Sequence, residues 1–101
     1  MIEKIRNQLI KNAYFYCSYC FLRGSYANES YNISSDIDLL IVSPDFKDIS
    51  MLKRKELFNK AMSNLSLNIQ FDTICLSEEE YSSLINCKRE MYFEERMIRI
   101  I

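Results

Sequence analysis

Asp36-Ile37-Asp38-Leu39-Leu40-Ile41-Val42 decides how this chain of 101 residues is read. A run so rich in branched apolar residues predicts a β-strand. Side chains two apart on a strand share a face, so Asp36 and Asp38 converge, followed on that face by Leu40 and Val42. Ile37, Leu39 and Ile41 fill the opposite face. Both faces are apolar beyond Asp38, which predicts a strand covered on both sides with its acidic end open to solvent. Two carboxylates held that close repel each other unless a proton or a cation intervenes. A hard divalent ion such as Mg²⁺, which takes oxygen ligands, suits them. Acidic pairs also cap strands and end solvated loops, so the pair alone does not decide.

Upstream, Phe21-Leu22-Arg23 predicts the end of a strand, and Gly24-Ser25 follows at once. Ten residues then separate Ser25 from Asp36. Gly24 lets backbone approach a ligand closely, and Ser25 offers a hydroxyl and an amide. A helical turn beginning there would present free N–H groups to phosphates. An ordinary turn would use the same two residues, but Gly24 is the only glycine in the chain.

Downstream, Leu67 to Leu76 predicts another strand, in which Asp72 is the only charge. Asp72 is in phase with Gln70, Ile74 and Leu76. A charge within an apolar strand costs free energy unless it is paired or bound to a metal. A buried Arg or Lys is one partner for it; a metal shared with Asp36 and Asp38 is the other. Three carboxylates on neighbouring strands suit two-metal catalysis, in which one ion activates an attacking hydroxyl and the other steadies a triphosphate.

Arg23-Gly24-Ser25, the spacer of ten and Ser35-Asp36-Ile37-Asp38-Leu39-Leu40-Ile41-Val42 together resemble the signature of the nucleotidyltransferase superfamily, which includes DNA polymerase beta. The short length resembles the minimal nucleotidyltransferases, many of which are antitoxins paired with HEPN-domain ribonucleases. The resemblance implies the nucleotidyltransferase fold. It gives Gly24 and Ser25 the triphosphate contacts, with Arg23 beside them, and makes Asp36 and Asp38 metal ligands. Asp72 becomes the third carboxylate, ligating the catalytic metal and orienting or deprotonating the acceptor hydroxyl. It further implies two Mg²⁺ ions, ATP as substrate, transfer of AMP to a hydroxyl, and a HEPN toxin as acceptor. One departure stands out. Many relatives follow Gly-Ser with Arg-Ala-Arg-Gly, where this chain has Tyr26-Ala27-Asn28-Glu29. A non-catalytic antitoxin or complex subunit that works by binding and occlusion is the alternative reading.

The remaining segments predict one small α/β (α+β) domain over residues 1–101, with a mixed β-sheet of three to four strands flanked by helices. Ile2, Ile5, Leu9 and Ala13 stand at helical spacing. Tyr14 to Leu22 predicts an apolar, aromatic strand. A helix is predicted from about Ser50 to Leu65, with Phe58, Ala61, Met62 and Leu65 on one face. Ser77 and Glu80 predict a capping box that opens a further helix running towards the end, with a break near Asn86-Cys87.

Composition narrows the function classes. With 13 basic and 14 acidic residues the formal charge is −1, which gives no general electrostatic grip on nucleic acid. No segment approaches the roughly 20 apolar residues of a membrane span, and acidic Glu3 argues against a secretory signal. A cytoplasmic protein is expected. Cys17 and Cys20 form a C-x-x-C, but the chain has no histidine to complete a zinc site, and buried packing thiols are expected there. The missing histidines also exclude Ser-His and Cys-His nucleophiles, leaving base chemistry to carboxylates. Tyr26 and Tyr31 flank the candidate site and either stack on a base or stand as loop aromatics. The apolar end, Met97, Ile98, Ile100 and Ile101, either folds back onto the core or docks on another protein. The resemblance favours docking, in a homo- or hetero-oligomer.

Overall fold

A computed structural model describes residues 2–23, 37–65, 70–86 and 97–101. The elements in chain order are α1 (Ile2–Lys11), β1 (Tyr19–Arg23), β2 (Ile37–Val42), a 3₁₀ turn (Pro44–Phe46), α2 (Met51–Met62), β3 (Phe71–Leu76), α3 (Glu78–Asn86) and β4 (Ile98–Arg99). The strands form a four-stranded mixed sheet in the order β3-β2-β1-β4. Strand β1 runs antiparallel to β2 and to β4, whereas β2 and β3 are parallel. Helix α2 lies between the parallel pair in the chain, as a crossover between parallel strands requires.

Alternation along the strands divides the core into two faces. On one, Cys20, Leu22, Ile37, Leu39, Ile41 and Cys75 are buried with Ile5 and Leu9 of α1 and Phe58, Ala61 and Met62 of α2. Phe58 meets Phe71 edge-on at 5.3 Å. On the other, Leu40 and Val42 are also buried, and Tyr81 of α3 packs on Tyr19 and Phe21 at 5.6 and 5.8 Å. Strand β2 is thus covered on both sides, as its sequence predicts.

Side-chain caps set the helix limits. The Ser50 hydroxyl accepts from the Lys53 N–H at the start of α2. At α3 the Ser77 hydroxyl accepts from the Glu80 N–H while the Ser77 N–H donates to the Glu80 carboxylate, the predicted capping box in both directions. Strand β1 begins later than predicted, at Tyr19. Asn12 and Asp45 are the reason: the Asn12 side-chain amide donates to the Leu9 carbonyl, its carbonyl oxygen accepts from the Tyr14 and Phe15 N–H groups, and the Asp45 carboxylate accepts from the Tyr16 N–H. These bonds take the backbone groups a strand would need.

The end of the chain differs from the predicted helix as well. Residues 87–96 lie outside the described residues, and Ile98–Arg99 is a strand on the β1 edge. Ile100 and Ile101 pack against the core, and the Cys20 N–H donates to the Ile101 carbonyl. Of the two outcomes open to this apolar end, Ile100 and Ile101 take the inward one, while Ile98 stays exposed.

Candidate active site

The sheet register brings three charged residues into one row. Arg23 of β1 is paired with Asp38 of β2, and Asp38 is paired with Asp72 of β3. Residues directly opposite on neighbouring strands share a face with Cβ atoms about 4.5–5.5 Å apart. Arg23 and Asp38 are half-buried and Asp72 is exposed. Asp72 therefore bears none of the burial cost its sequence context suggested. A buried arginine does exist, but its carboxylate is Glu80, not Asp72.

Behind this row the same face is apolar: Phe21–Leu40–Ile74, then Tyr19–Val42–Leu76. Tyr19 packs on Tyr81, and the Arg99 guanidinium sits 4.8 Å from the Tyr19 ring. Burial and the neighbouring Tyr19 raise the Tyr81 hydroxyl above its ordinary value, against a smaller opposing pull from Arg99. A cleft of about 380 Å³ opens there, lined by Tyr19, Glu78, Tyr81, Ser82 and Ile85. The charged row thus lies at the end where β2 begins, ahead of an aromatic and aliphatic surface bordered by Arg99 and Glu78.

Two adjacent aspartates are oxygen donors of the kind a hard divalent cation takes. Mg²⁺ is commonly held by one or two carboxylates, with phosphate oxygens and waters completing its octahedron. Asp38 and Asp72 fit that donor set. Among the described residues no cluster of three or more His, Cys, Asp or Glu side chains is placed to hold a metal. Gly24, Ser25, the third predicted carboxylate Asp36, and the flanking Tyr26 and Tyr31 lie outside the described residues.

The thiols follow the packing reading. Cys17, Cys20 and Cys75 are free and buried. Burial, with a smaller contribution from Cys75, pushes the Cys17 thiol up to about 12. Burial also raises Cys20 and Cys75. Such thiols are poor nucleophiles and poor metal ligands at neutral pH.

The sequence model of the nucleotidyltransferase domain family matches residues 2–100. The chain belongs to that family. Nucleotidyltransferases use a nucleoside triphosphate and a divalent metal, which agrees with oxygen donors at the head of the sheet. The fold of this nucleotidyltransferase domain is similar to that of a protein from Sulfolobus solfataricus described as a nucleotidyltransferase. The two share 23% identity and a TM-score of 0.52, over 81% of this chain and 65% of that one. A toxin–antitoxin solved with AMP-PNP is similar at 21% identity and a TM-score of 0.55, over 99% of this chain and 69% of that chain. The toxin–antitoxin MntA-HpeT, in a form with two aspartates changed to glutamate, is similar at 19% identity and a TM-score of 0.52, again over 99% and 69%. The domain thus spans just under two thirds of the Sulfolobus protein. No curated protein matches the sequence.

One residue with several interactions was not singled out from sequence. Arg54 of α2 is buried and donates to the Ile49 and Cys75 carbonyls at 2.8 and 2.9 Å and to the Glu80 carboxylate at 2.6 Å. It ties α2, β3 and α3 together on the strand that carries Asp72. Its flanking lysines, Lys53 and Lys55, make it look like part of a solvated helix face. No local signal marks it, because its partners are remote in sequence.

Proposed function

We propose that this domain transfers a nucleoside monophosphate, AMP from ATP, to a hydroxyl on a partner HEPN toxin, and so serves in the cytoplasm as an antitoxin. The observation that carries the chemistry is the register of Asp38 with Asp72 on parallel neighbours. Membership of the nucleotidyltransferase family supports the reaction class. Similarity in fold to two toxin–antitoxins supports the partner class.

In this reading Asp38 and Asp72, with Asp36, would hold two Mg²⁺ ions, the arrangement the family resemblance implies. When bound, the ions would supply charge neutralisation at the triphosphate and lower the basicity of the acceptor oxygen. Gly24 and Ser25 bind the triphosphate through backbone N–H groups and the hydroxyl, and Arg23 adds a guanidinium beside them. Asp72 orients the acceptor hydroxyl and takes its proton. The acceptor oxygen bonds to the α-phosphorus, the bond from that phosphorus to the bridging oxygen breaks, and pyrophosphate leaves with the electron pair. With Asp72 exposed, the acceptor can approach from solvent.

The test is transfer of label from ATP carrying it at the α-phosphate to the co-purified partner, comparing wild type with Asp36→Ala/Asp38→Ala. Label on the partner only with wild type is expected; equal labelling by both would overturn the enzyme reading. The Tyr26-Ala27-Asn28-Glu29 run favours a second reading, a subunit that neutralises its partner by occlusion. In that case the double variant would neutralise as well as wild type does.

A further inference from the structure

Across three hydrogen-bonded strands the end row reads positive, negative, negative: Arg23, Asp38, Asp72. On these three strands both rows behind it are uncharged, and the next charge on that face is Arg99 of β4, which pairs with Phe21 and lies over the Tyr19 ring. Arg23 is also the sole lysine or arginine between Lys11 and Lys47, so no other basic residue of that stretch can serve this row. We propose that Arg23 is the resting counter-charge of the carboxylate pair, holding Asp38 when no divalent ion is bound and turning to the triphosphate when ion and nucleotide arrive. The inference rests on the reading of Asp38 and Asp72 as a cation seat.

The physical argument is competition for one acceptor. Two carboxylates side by side destabilise the strand pairing unless a cation lies near them. A guanidinium directly opposite Asp38 is a cation with a planar fork that matches a carboxylate. Arg23 and Asp38 are both half-buried, so salt screens them less than an exposed pair. A divalent ion entering the seat must displace that guanidinium from Asp38. Triphosphate oxygens then offer Arg23 a richer set of acceptors at the same end of the sheet. Nucleotide and metal binding thereby become linked through one side chain.

Mn²⁺ titration of the full nucleotide-free chain, followed by electron paramagnetic resonance, tests this without turnover. Arg23→Met is expected to bind Mn²⁺ about tenfold more tightly than wild type. At fixed Mg²⁺ it is expected to bind ATP about tenfold more weakly, since the guanidinium no longer reaches the phosphates. Arg23→Lys, which keeps a charge and the strand pairing but loses the fork, is expected to shift both affinities in the same directions by less. Unchanged Mn²⁺ affinity in either variant overturns the proposal. Failure of the cation-seat reading looks different: Mn²⁺ binding would be absent from wild type, or would survive intact in Asp38→Asn/Asp72→Asn.

Discussion

The Glu80 carboxylate accepts from the Arg54 guanidinium at 2.6 Å and from the Ser77 N–H at 2.7 Å, so one oxygen both closes the cap of α3 and anchors it to α2. Arg54→Ala would remove a buried cation that also satisfies the Ile49 and Cys75 carbonyls. A loss of about 2–4 kcal/mol is expected, below the full cost of breaking a buried pair because Glu80 is partly exposed. Urea unfolding measures it through the midpoint at constant m-value.

The same oxygen gives the domain an acid sensitivity. Desolvation pushes the Glu80 carboxyl up, but the Ser77 N–H, the Arg54 guanidinium and the Ser77 hydroxyl together outweigh it and leave the group below its ordinary value. A depressed carboxyl contributes stability above its unfolded value, and that contribution disappears as pH falls through the folded value. Stability should therefore fall below about pH 4.3 more steeply in wild type than in Glu80→Gln. Thermal melts of both proteins between pH 3 and 6, with their curves converging at the acid end, are the expected outcome.

Asp72 separates activity from stability. Because it is exposed, Asp72→Asn should change unfolding free energy by no more than about 0.5 kcal/mol. Transfer to the partner should fall by about 10²–10⁴-fold if Asp72 takes the acceptor proton. Parallel measurement of melting temperature and labelling rate checks both; an active Asp72→Asn would remove that role.

Thiol chemistry reports on the core. With the Cys17 thiol at about 12, its thiolate is about a thousandfold scarcer at neutral pH than that of an ordinary cysteine. Cys17, Cys20 and Cys75 should resist iodoacetamide in the folded protein and react together on unfolding. Peptide mapping after timed alkylation measures each site. Fast modification of Cys20 under native conditions would contradict its place between the sheet and the helices.

Cap removal gives a smaller effect. Ser77→Ala deletes one arm of the α3 capping box and should cost about 1 kcal/mol. Ser50→Ala should do the same at α2. Circular dichroism melts of the two single variants and the double variant should show additive losses, as the caps are distinct.

What the sequence revealed was the local part of the structure. Alternation along residues 37–42 identified the face that Asp38 shares with Leu40 and Val42, and the Ser77–Glu80 spacing identified the start of α3. The strand expected from Tyr14 begins at Tyr19 because the Asn12 side chain takes the Tyr14 and Phe15 N–H groups and the Asp45 carboxylate takes that of Tyr16. Residue patterns alone did not fix pairing across strands: the family resemblance is what set Asp72 beside Asp38, because their parallel contact joins segments more than 30 residues apart. The role of Arg54 was hidden for the same reason, and so was the return of residues 98–101 to the edge of β1.

The distance between Asp38 and Asp72 is set by the parallel ladder of β2 and β3, whose backbone hydrogen bonds do not depend on what the connecting loops contain. That ladder is made by residues 37–42 and 71–76, so substitutions among residues 26–29 leave Asp38 and Asp72 side by side. The Tyr26-Ala27-Asn28-Glu29 run can therefore differ from the Arg-Ala-Arg-Gly of many relatives without moving Asp38 and Asp72 apart.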